Sequence, residues 1–391
     1  MMVIRNGVLV ARGIAEKRDV AVENGRIAAI AAPGTLSGGE TLDADGLYLS
    51  HGFIDTHVHG GDGYDFMDAT EEAWHGASAL HLRHGTTAMV PTTLAAGTEE
   101  LLAAFAVYAR CKPGFPDGAK LLGLHVEGPY LAPEQSGAQD PAYIRNPDPA
   151  EYEALFAACP DILRWTTAPE LPGADRMGDW LSERGAVPCI GHSSATYDQV
   201  RSAMLHGYRH VTHLYSATST IVRRSGFRHA GIIESAYLLE GLTSEVIADG
   251  CHLPGCLLEM AYRFIGPDRL CLITDAMRAA GRESGESVLG SLEKGQRVIL
   301  EDGVAKLPDR SAFAGSICTA DRLVRNMVQL AGASLPDAVK MITETPARIL
   351  GLADRTGFVA VGRPADLVLF DENVNVRTVL TDGSVRWSAG A

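Results

Sequence analysis

Five residues of the types that bind metal ions stand at the ends of apolar runs: His57, His59, Glu127, His192 and His213. On a β-strand His57 and His59 would point to the same face and could share one ion. At Glu127 a metal ion would compensate the burial of the carboxylate. Singly, each could be an ordinary polar residue at a strand end. Together they predict a divalent-metal site, because one glutamate and two histidines with an open position are a standard catalytic arrangement for zinc.

Two further residues could act beside such a metal. Asp275 ends the apolar run 270–275, and an aspartate next to a metal-bound water can accept its proton and later return it to a leaving group. Its alternative role is to cap the following helix. His252, one run earlier, is predicted to contact a substrate unless it is a surface histidine in a loop. His210 would face away from His213 on a strand and is predicted to be structural.

A basic cluster follows His213 and suggests an anionic ligand. It consists of Arg223, Arg224 and Arg228, and guanidinium groups match phosphate and carboxylate in shape. A solvated surface loop is the alternative. The whole chain has a formal net charge of −14, which disfavours nucleic acids and anionic membranes as partners. A few local arginines can nevertheless hold an anionic small molecule.

The elements that must position these residues alternate between strands and helices. Helical stretches such as 70–84, 99–111 and 320–331 separate the strand-like runs. This alternation over residues 52–357 predicts an α/β fold with a (β/α)8 TIM-type barrel, in which the chemistry sits where the strands end. The predicted strands are Phe53–His57, Thr86–Pro91, Lys120–Glu127, Ile162–Ala168, Ala186–His192, Tyr208–His213, Thr243–Ile247 and Leu270–Asp275.

Both ends of the chain have a different texture, made of short strand-like runs and turns. Residues 1–51 contain turn sequences typical of β-hairpins, such as Asn6-Gly7, and residues 358–391 contain Asp382-Gly383. Neither meander can close a core alone. The two ends, 1–51 and 358–391, are therefore predicted to pair into one small β-sandwich domain, with the catalytic barrel of residues 52–357 inserted between them.

Cysteine use and hydropathy predict a cytoplasmic location. The seven cysteines contain no C-x-x-C pair, which favours reduced thiols over a disulfide framework or a cysteine-based zinc site. The first residues lack the charged and apolar segments of a secretory signal. No apolar run reaches the roughly 18 residues needed to span a bilayer, so no membrane partner is expected.

Several short motifs occur in order along nearly the whole chain. Two are amidohydrolase traits, G-F-I-D-T-H-V-H at 52–59 and T-P-A-R-I-L-G-L at 345–352. With the others, the chain resembles the amidohydrolase superfamily and, within it, the N-acetylglucosamine-6-phosphate deacetylase family. The motifs more specific to these deacetylases are G-L-H-V-E-G-P-Y-L at 123–131, G-H-S at 191–193, T-H-L-Y at 212–215, A-D-G-C-H at 248–252 and T-D-A-M at 274–277.

The resemblance implies how the metal ligands divide. Glu127, His192 and His213 would bind the main ion, usually zinc, with iron(II) as an alternative. His57 and His59 would add a second ion where the member is binuclear. Such an ion lowers the pKa of its bound water from ~15.7 to ~7. Whether one or two ions bind stays open at this point.

The resemblance also implies a reaction and a substrate site. Asp275 would be general base and then general acid while an N-acetyl amide is hydrolysed to acetate and an amino sugar phosphate. Arg224 falls at the position of the family's phosphate-binding arginine, which is donated across a homodimer interface. The substrate contacts implied are Ala138, Gln139, Ser216, Ala217, Arg224 and His252.

The chain departs from the family in this pocket. Typical members carry G-A-H where this chain has Gly137-Ala138-Gln139, and a glutamine can donate a hydrogen bond but cannot be cationic. The sugar could therefore be the galacto isomer, and an unphosphorylated sugar or an N-acyl amino acid is an alternative substrate. A hydrolase of cyclic amides on the same scaffold is disfavoured because Glu127 stands where such enzymes use a carboxylated lysine. A non-catalytic scaffold protein is the remote alternative. It is disfavoured because such relatives usually lose metal ligands, whereas this chain keeps all of them and Asp275.

Overall fold

The middle of the chain forms a nearly closed barrel of parallel strands, which confirms the predicted fold class. The computed structural model describes residues 1–390, so Ala391 of the predicted segment 358–391 lies outside the described residues. The third barrel strand is interrupted and forms two pieces. In order around the barrel the strands are Phe53–Val58, Thr86–Thr93, Lys120–Leu121 with Leu124–Glu127, Ile162–Thr167, Val187–Ile190, His210–Val211, Thr243–Ile247 and Leu270–Ile273.

The barrel closes between its first and eighth strands through only a few contacts. Val58 and Ala276 form an isolated parallel bridge. The backbone N–H of Asp275 donates to the carbonyl of His57 at 2.9 Å, and the N–H of His59 donates to the carbonyl of Ala276 at 2.8 Å. This closure places Asp275 directly beside the two histidines of the first strand.

Helices cover the outside of the barrel and bury their apolar faces against it. Local signals fix their ends: Thr196, for example, caps the helix that begins at Tyr197 and forms a capping box with Gln199. Side chains such as Val246, Leu272 and Met327 share the core between strands and helices. The α-helices are Glu71–Arg83, Thr98–Cys111, Pro149–Ala158, Ala174–Glu183, Tyr197–Leu205, Ile232–Leu238, Gly255–Ile265, Ala320–Ala331, Leu335–Ile342 and Glu344–Ile349, and the 3₁₀ helices are Phe66–Asp68, Pro133–Gln135 and Pro141–Tyr143.

The two ends of the chain meet in two sheets that fit a sandwich. They share an apolar core to which Ile4, Val20, Leu49 and Leu367 all contribute. The predicted boundaries, 1–51 and 358–391, stay a prediction. One sheet has the strand order Arg26–Ala31, Asp19–Glu23, Met2–Arg5, Glu40–Asp43, and the other has the order Ser384–Ser388, Val376–Thr381, Leu367–Phe370, Tyr48–His51, Val8–Ala11, Ile14–Lys17.

An insertion after the eighth barrel strand reaches over the barrel mouth. Leu289, at the end of its first strand, packs with Ala138 and Met277. Among residues 1–390, no helix combines the length and the apolarity needed to cross a membrane. The insertion comprises Gly285–Leu289, Gln296–Glu301 and Val304–Lys306, and two short hairpins pair Gly60–Gly61 with Tyr64–Asp65 and Val222–Arg224 with Phe227–His229.

Candidate active site

Three of the predicted site residues lie just beyond their strands rather than at the last strand position. The fifth, sixth and eighth strands end two residues before His192, His213 and Asp275. These three have positive φ angles of 47°, 28° and 48°. A non-glycine residue in the left-handed region costs about 1–3 kcal/mol, and such strain is common at functional sites. The turn aims the three side chains into the barrel mouth.

Glu127, His192 and His213 form the first ligand group. Oε1 of Glu127 lies 2.9 Å from Nε2 of His213 and 3.3 Å from Nε2 of His192. The two Nε2 atoms are 3.2 Å apart. All three side chains are buried, and their ligand atoms converge on one point.

His57, His59 and Asp275 form the second ligand group. The Nε2 atoms of the two histidines are 3.3 Å apart. Oδ1 of Asp275 lies 3.4 Å from Nε2 of His57 and 3.2 Å from Nε2 of His59. Glu127 joins the two groups, because its Oε1 lies 3.4 Å from Nε2 of His57 and its Oε2 lies 3.3 Å from Nε2 of His59.

The second ring nitrogen of each first-strand histidine already has a partner. Nδ1 of His57 lies 2.8 Å from Oε1 of Glu245, and Nδ1 of His59 lies 3.2 Å from the carbonyl of Thr92. A carboxylate and a carbonyl only accept, so each Nδ1 carries a proton, and in the neutral ring the lone pair of each Nε2 is available to a cation. This tautomer is the one that metal-binding histidines use.

The histidines beyond the fifth and sixth strands have the same arrangement. Nδ1 of His192 donates to the carbonyl of Gln135 at 2.8 Å, and Nδ1 of His213 donates to the carbonyl of Ser216 at 3.1 Å. All four Nε2 atoms therefore face the ligand groups as acceptors. The donor set of imidazole nitrogens and carboxylate oxygens fits a divalent cation such as zinc.

The electrostatics of the site also fit a cation. Burial lowers the pKa of His57, but the charges of Glu127 and Asp275 outweigh it and raise that pKa to about 9. Burial also lowers the pKa of His59, but the hydrogen bonds that it donates to Asp275 and Glu127 outweigh this and raise that pKa to about 10. Burial acts to raise the pKa of Glu127, yet the surrounding histidines hold it well below its usual range. The two carboxylates thus create a strong preference for positive charge between them.

A buried ion pair lies beneath the ligand groups and was not singled out from the sequence. Nη1 of Arg164 donates to Oε2 of Glu245 at 2.5 Å. The same oxygen lies 3.1 Å from Nε2 of His210, and Oε1 is 3.3 Å from the N–H of His213. Burial alone would raise the pKa of Glu245, but Arg164, His210 and His57 hold it well below its usual range. The available signal was a lone charged residue inside a strand whose other residues are uncharged.

His210 lies within this buried network. With Glu245 and Cys271 it forms a third cluster of ligand-type atoms. Glu245 is already paired with Arg164 there, and Nδ1 of His210 lies 2.8 Å from the hydroxyl of Thr243. This position agrees with a structural role for His210.

A cavity of about 300 Å³ opens onto both ligand groups. His252 lines it, and Nδ1 of His252 lies 2.8 Å from Oδ2 of Asp249, which orients the ring. The ring of Phe313 packs edge-on against His252 with centroids 4.9 Å apart. Neither Asp249 nor Phe313 was singled out from the sequence. The predicted site residues on the cavity wall are His59, Glu127, Ala138, Gln139, His192, His213, Ser216, Ala217, His252 and Asp275.

Arg224 is the predicted contact that the fold keeps apart from this cavity. It lies on the exposed hairpin of Val222–Arg224 and Phe227–His229. It lines a separate cavity of about 240 Å³ together with residues such as Ser194 and Thr220. The basic cluster that includes Arg223 and Arg228 is therefore a surface feature of the single chain.

Known proteins resemble this chain over almost its full length. The sequence model of the amidohydrolase family matches residues 48–386. An N-acetylglucosamine-6-phosphate deacetylase of Lysinibacillus sphaericus is 36% identical, with 98% of this chain and 97% of the relative covered. An N-acetylgalactosamine-6-phosphate deacetylase of Escherichia coli is 32% identical, with 97% of each chain covered. The crystal structure of N-acetyl-D-glucosamine-6-phosphate deacetylase from Mycobacterium smegmatis matches with a TM-score of 0.90 and 32% identity, over 98% of this chain and 100% of that one.

Proposed function

The chain belongs to the amidohydrolase family, and we propose that it is a metal-dependent deacetylase of an N-acetyl amino sugar 6-phosphate. The substrate is N-acetylglucosamine 6-phosphate or its galacto isomer, since relatives of both kinds are similar to this chain. The observation that carries the proposal is the cavity lined by both ligand groups through three of their histidines and two carboxylates. The fourth histidine, His57, lies behind this wall with its Nε2 3.3 Å from that of His59. Hydrolysis adds water across the amide and yields acetate and the amino sugar phosphate.

Glu127, His192 and His213 would hold the main ion, with His57 and His59 available for a second one. Zinc suits this set of nitrogen and oxygen donors, and iron(II) is the alternative. When bound, such a cation supplies a nucleophilic water at neutral pH and polarises the amide carbonyl. The protein's own part is to hold the carboxylates charged and to orient each Nε2 toward the ion through the partner of its Nδ1.

Asp275 would handle the proton. Its side chain borders the cavity, and burial acts to raise its pKa, but the charge of His57 and the hydrogen bond from His59 keep that pKa below its usual value. The charged carboxylate accepts the proton of the attacking water at an oxygen. The protonated Asp275 then delivers this proton to the amide nitrogen as the carbon–nitrogen bond breaks, so that a neutral amine leaves.

Arg224 would bind the phosphate of a substrate held by a second copy of the chain. Its position on an exposed hairpin, apart from the metal-ligand cavity of its own chain, supports a role across a homodimer. The pairing of a guanidinium group with phosphate oxygens is a strong, charge-assisted contact. Cytoplasmic action is part of the proposal and is supported by the free state of all seven cysteines.

Acetate release from a substrate panel tests the proposed reaction. The panel contains N-acetylglucosamine, N-acetylgalactosamine and N-acetylmannosamine, each with and without 6-phosphate, and N-acetyl amino acids. The proposal expects the highest kcat/KM with a 6-phosphorylated gluco or galacto sugar. Preference for an N-acetyl amino acid would contradict it. Metal content far below one equivalent with no turnover after zinc addition would favour the non-catalytic scaffold.

Subunit mixing tests the proposed role of Arg224. Arg224→Ala should raise KM for a phosphorylated sugar about 10–100-fold, since a hydrogen bond to a charged group contributes about 1.5–3 kcal/mol. It should leave the unphosphorylated sugar unaffected, and Arg223→Ala on the same hairpin is the matched control. Mixed with inactive Asp275→Asn, it should regain activity, because one hybrid site then combines an intact Asp275 with the partner's intact arginine. No recovery in verified hybrid dimers would refute the cross-subunit role.

A further inference from the structure

The NH2 group and the carbonyl oxygen of the Gln139 side chain each make one hydrogen bond inside the protein. Its Nε2 donates to Oε2 of Glu127 at 2.7 Å, and its Oε1 accepts from the backbone N–H of Ala95 at 2.8 Å. The partners settle the orientation of the amide, because a carboxylate can only accept and a backbone N–H can only donate. Gln139 therefore links the loop after the second barrel strand to the metal ligand that ends the third.

We infer that Gln139 is a positioning residue that fixes the carboxylate of Glu127, an inference that rests on the proposed metal-dependent function. The bond from Gln139 holds Oε2 and so determines the rotation of the whole carboxylate group. In that rotation Oε1 points to His213 at 2.9 Å and to His192 at 3.3 Å. One side chain thus fixes the plane of the carboxylate and the direction in which it faces the first ligand group.

The burial of these groups makes the contact a firm one. Gln139 is 6% exposed and Glu127 is 2% exposed, so water competes little for the bond, and hydrogen bonds to charged groups are stronger than neutral ones. Gln139 also borders the cavity, and its amide keeps a second N–H and a second lone pair beyond the two internal bonds. The geometry therefore adds an effect through Glu127 to the substrate contact predicted for this position, which stays a prediction.

The same geometry predicts which replacements preserve the function. A neutral imidazole has one nitrogen that donates and one that accepts, so a histidine at position 139 can satisfy Glu127 and Ala95 together. A leucine of similar size can satisfy neither. Gln296 provides a matched control on the wall of the neighbouring cavity, because its amide donates to the carbonyl of Ala138 at 2.7 Å and touches no ligand residue.

Zinc affinity is the first measurement, made on chelator-stripped full-length protein by competition with a chromogenic chelator. Gln139→Leu should bind zinc about 10–100-fold more weakly, the effect typical of losing a partner of a metal ligand. Gln139→His should recover most of this loss, and Gln296→Leu should match the wild type. Urea unfolding of the metal-free proteins should show one cooperative transition for both leucine variants, with the lower midpoint for Gln139→Leu because it leaves two buried groups unpaired. If the leucine variant does not fold, Gln139→Asn replaces it, because its shorter amide cannot reach both partners.

Kinetics then separate positioning from substrate contact. With excess zinc, Gln139→Leu should regain most of its kcat, and KM for the phosphorylated sugar should stay near the wild-type value. Unchanged zinc affinity together with a raised KM that zinc does not repair would overturn the inference. If the wild type releases no acetate from any sugar, the proposed function fails, while the zinc measurement still decides the role of Gln139.

Discussion

The two ligand groups are built and supported in different ways. His57 and His59 lie on or next to a regular barrel strand, and His57 rests on the buried pair of Arg164 and Glu245. His192 and His213 lie beyond short strands with positive φ angles. A side-chain charge inside the barrel supports His57 and a strand carbonyl supports His59, whereas loop carbonyls hold the other two.

The two kinds of support differ in whether a substitution can remove the hydrogen-bond acceptor of a histidine. A carboxylate beneath His57 can be removed by substitution, and its loss leaves a buried guanidinium without its partner. The carbonyls that hold His192 and His213 belong to the backbone of Gln135 and Ser216, so changing those side chains leaves them in place. Glu127 and Asp275 share features of both groups. Glu127 contacts histidines of both groups, and Asp275 has a positive φ angle and also contacts the first-strand histidines.

Replacement of Asp275 should have the largest effect on turnover. Asp275→Asn keeps the shape and an oxygen atom but cannot accept the proton, so kcat should fall about 10²–10⁴-fold. Zinc content should stay close to that of the wild type, because Glu127, His192 and His213 are intact. Acetate release and metal analysis on the same preparation check this. Turnover near the wild-type rate would remove Asp275 from its proposed role.

Removal of the charge beneath His57 should have the largest effect on stability. Glu245→Gln leaves Arg164 buried without its ion partner, which should lower the free energy of unfolding by about 3–5 kcal/mol. Urea unfolding of the metal-free protein measures this change.

A paired substitution then separates stability from positioning at the same place. Arg164→Met with Glu245→Leu removes both charges and should recover much of the lost stability. It should still retain the second metal less well, because His57 has lost the acceptor for its Nδ1. Wild-type stability of Glu245→Gln alone would mean that the ion pair does not support the barrel interior.

A matched pair of ligand substitutions compares the two groups directly. His213→Asn removes a ligand of the proposed main ion, and His59→Asn removes one of the second group. Zinc affinity and kcat should fall by more than about 10–100-fold for His213→Asn, since loss of even an outer partner has that effect, and by less for His59→Asn. Competition with a chelator and acetate release give both values. The reverse order would make the first-strand histidines the main site.

The sequence predicted the barrel because each strand is an apolar run and each ligand-type residue follows one. It placed the ends of several strands too late: His192, His213 and Asp275 continue apolar runs in sequence, but their backbone turns before them. The apolar run Phe358–Val361 also indicates a strand in the sequence, but it forms none, and just after it the N–H of Gly362 donates to the carbonyl of Ile27. Short-range patterns do not reveal such a long-range partner.

The support of the site was harder to predict than its ligands. Glu245 and Arg164 lie on different strands, and their pairing depends on the order of strands around the barrel. Gln139 could be assigned only through Ala95 and Glu127, which are far from it in sequence. The ligand types and their order are local information, whereas the contacts that orient them come from tertiary structure.

Replacement of the Gln135 side chain should have the smallest effect and tests the backbone half of the comparison. His192 binds the carbonyl of Gln135 and not its amide, so Gln135→Ala should leave that acceptor in place. Zinc affinity should change little, and stability should stay within about 0.5 kcal/mol, as for most surface substitutions. Chelator competition and urea unfolding, run beside Glu245→Gln, measure both. If Gln135→Ala lost as much zinc affinity as Glu245→Gln measured beside it, side chains and not the loop backbone would hold His192 and His213.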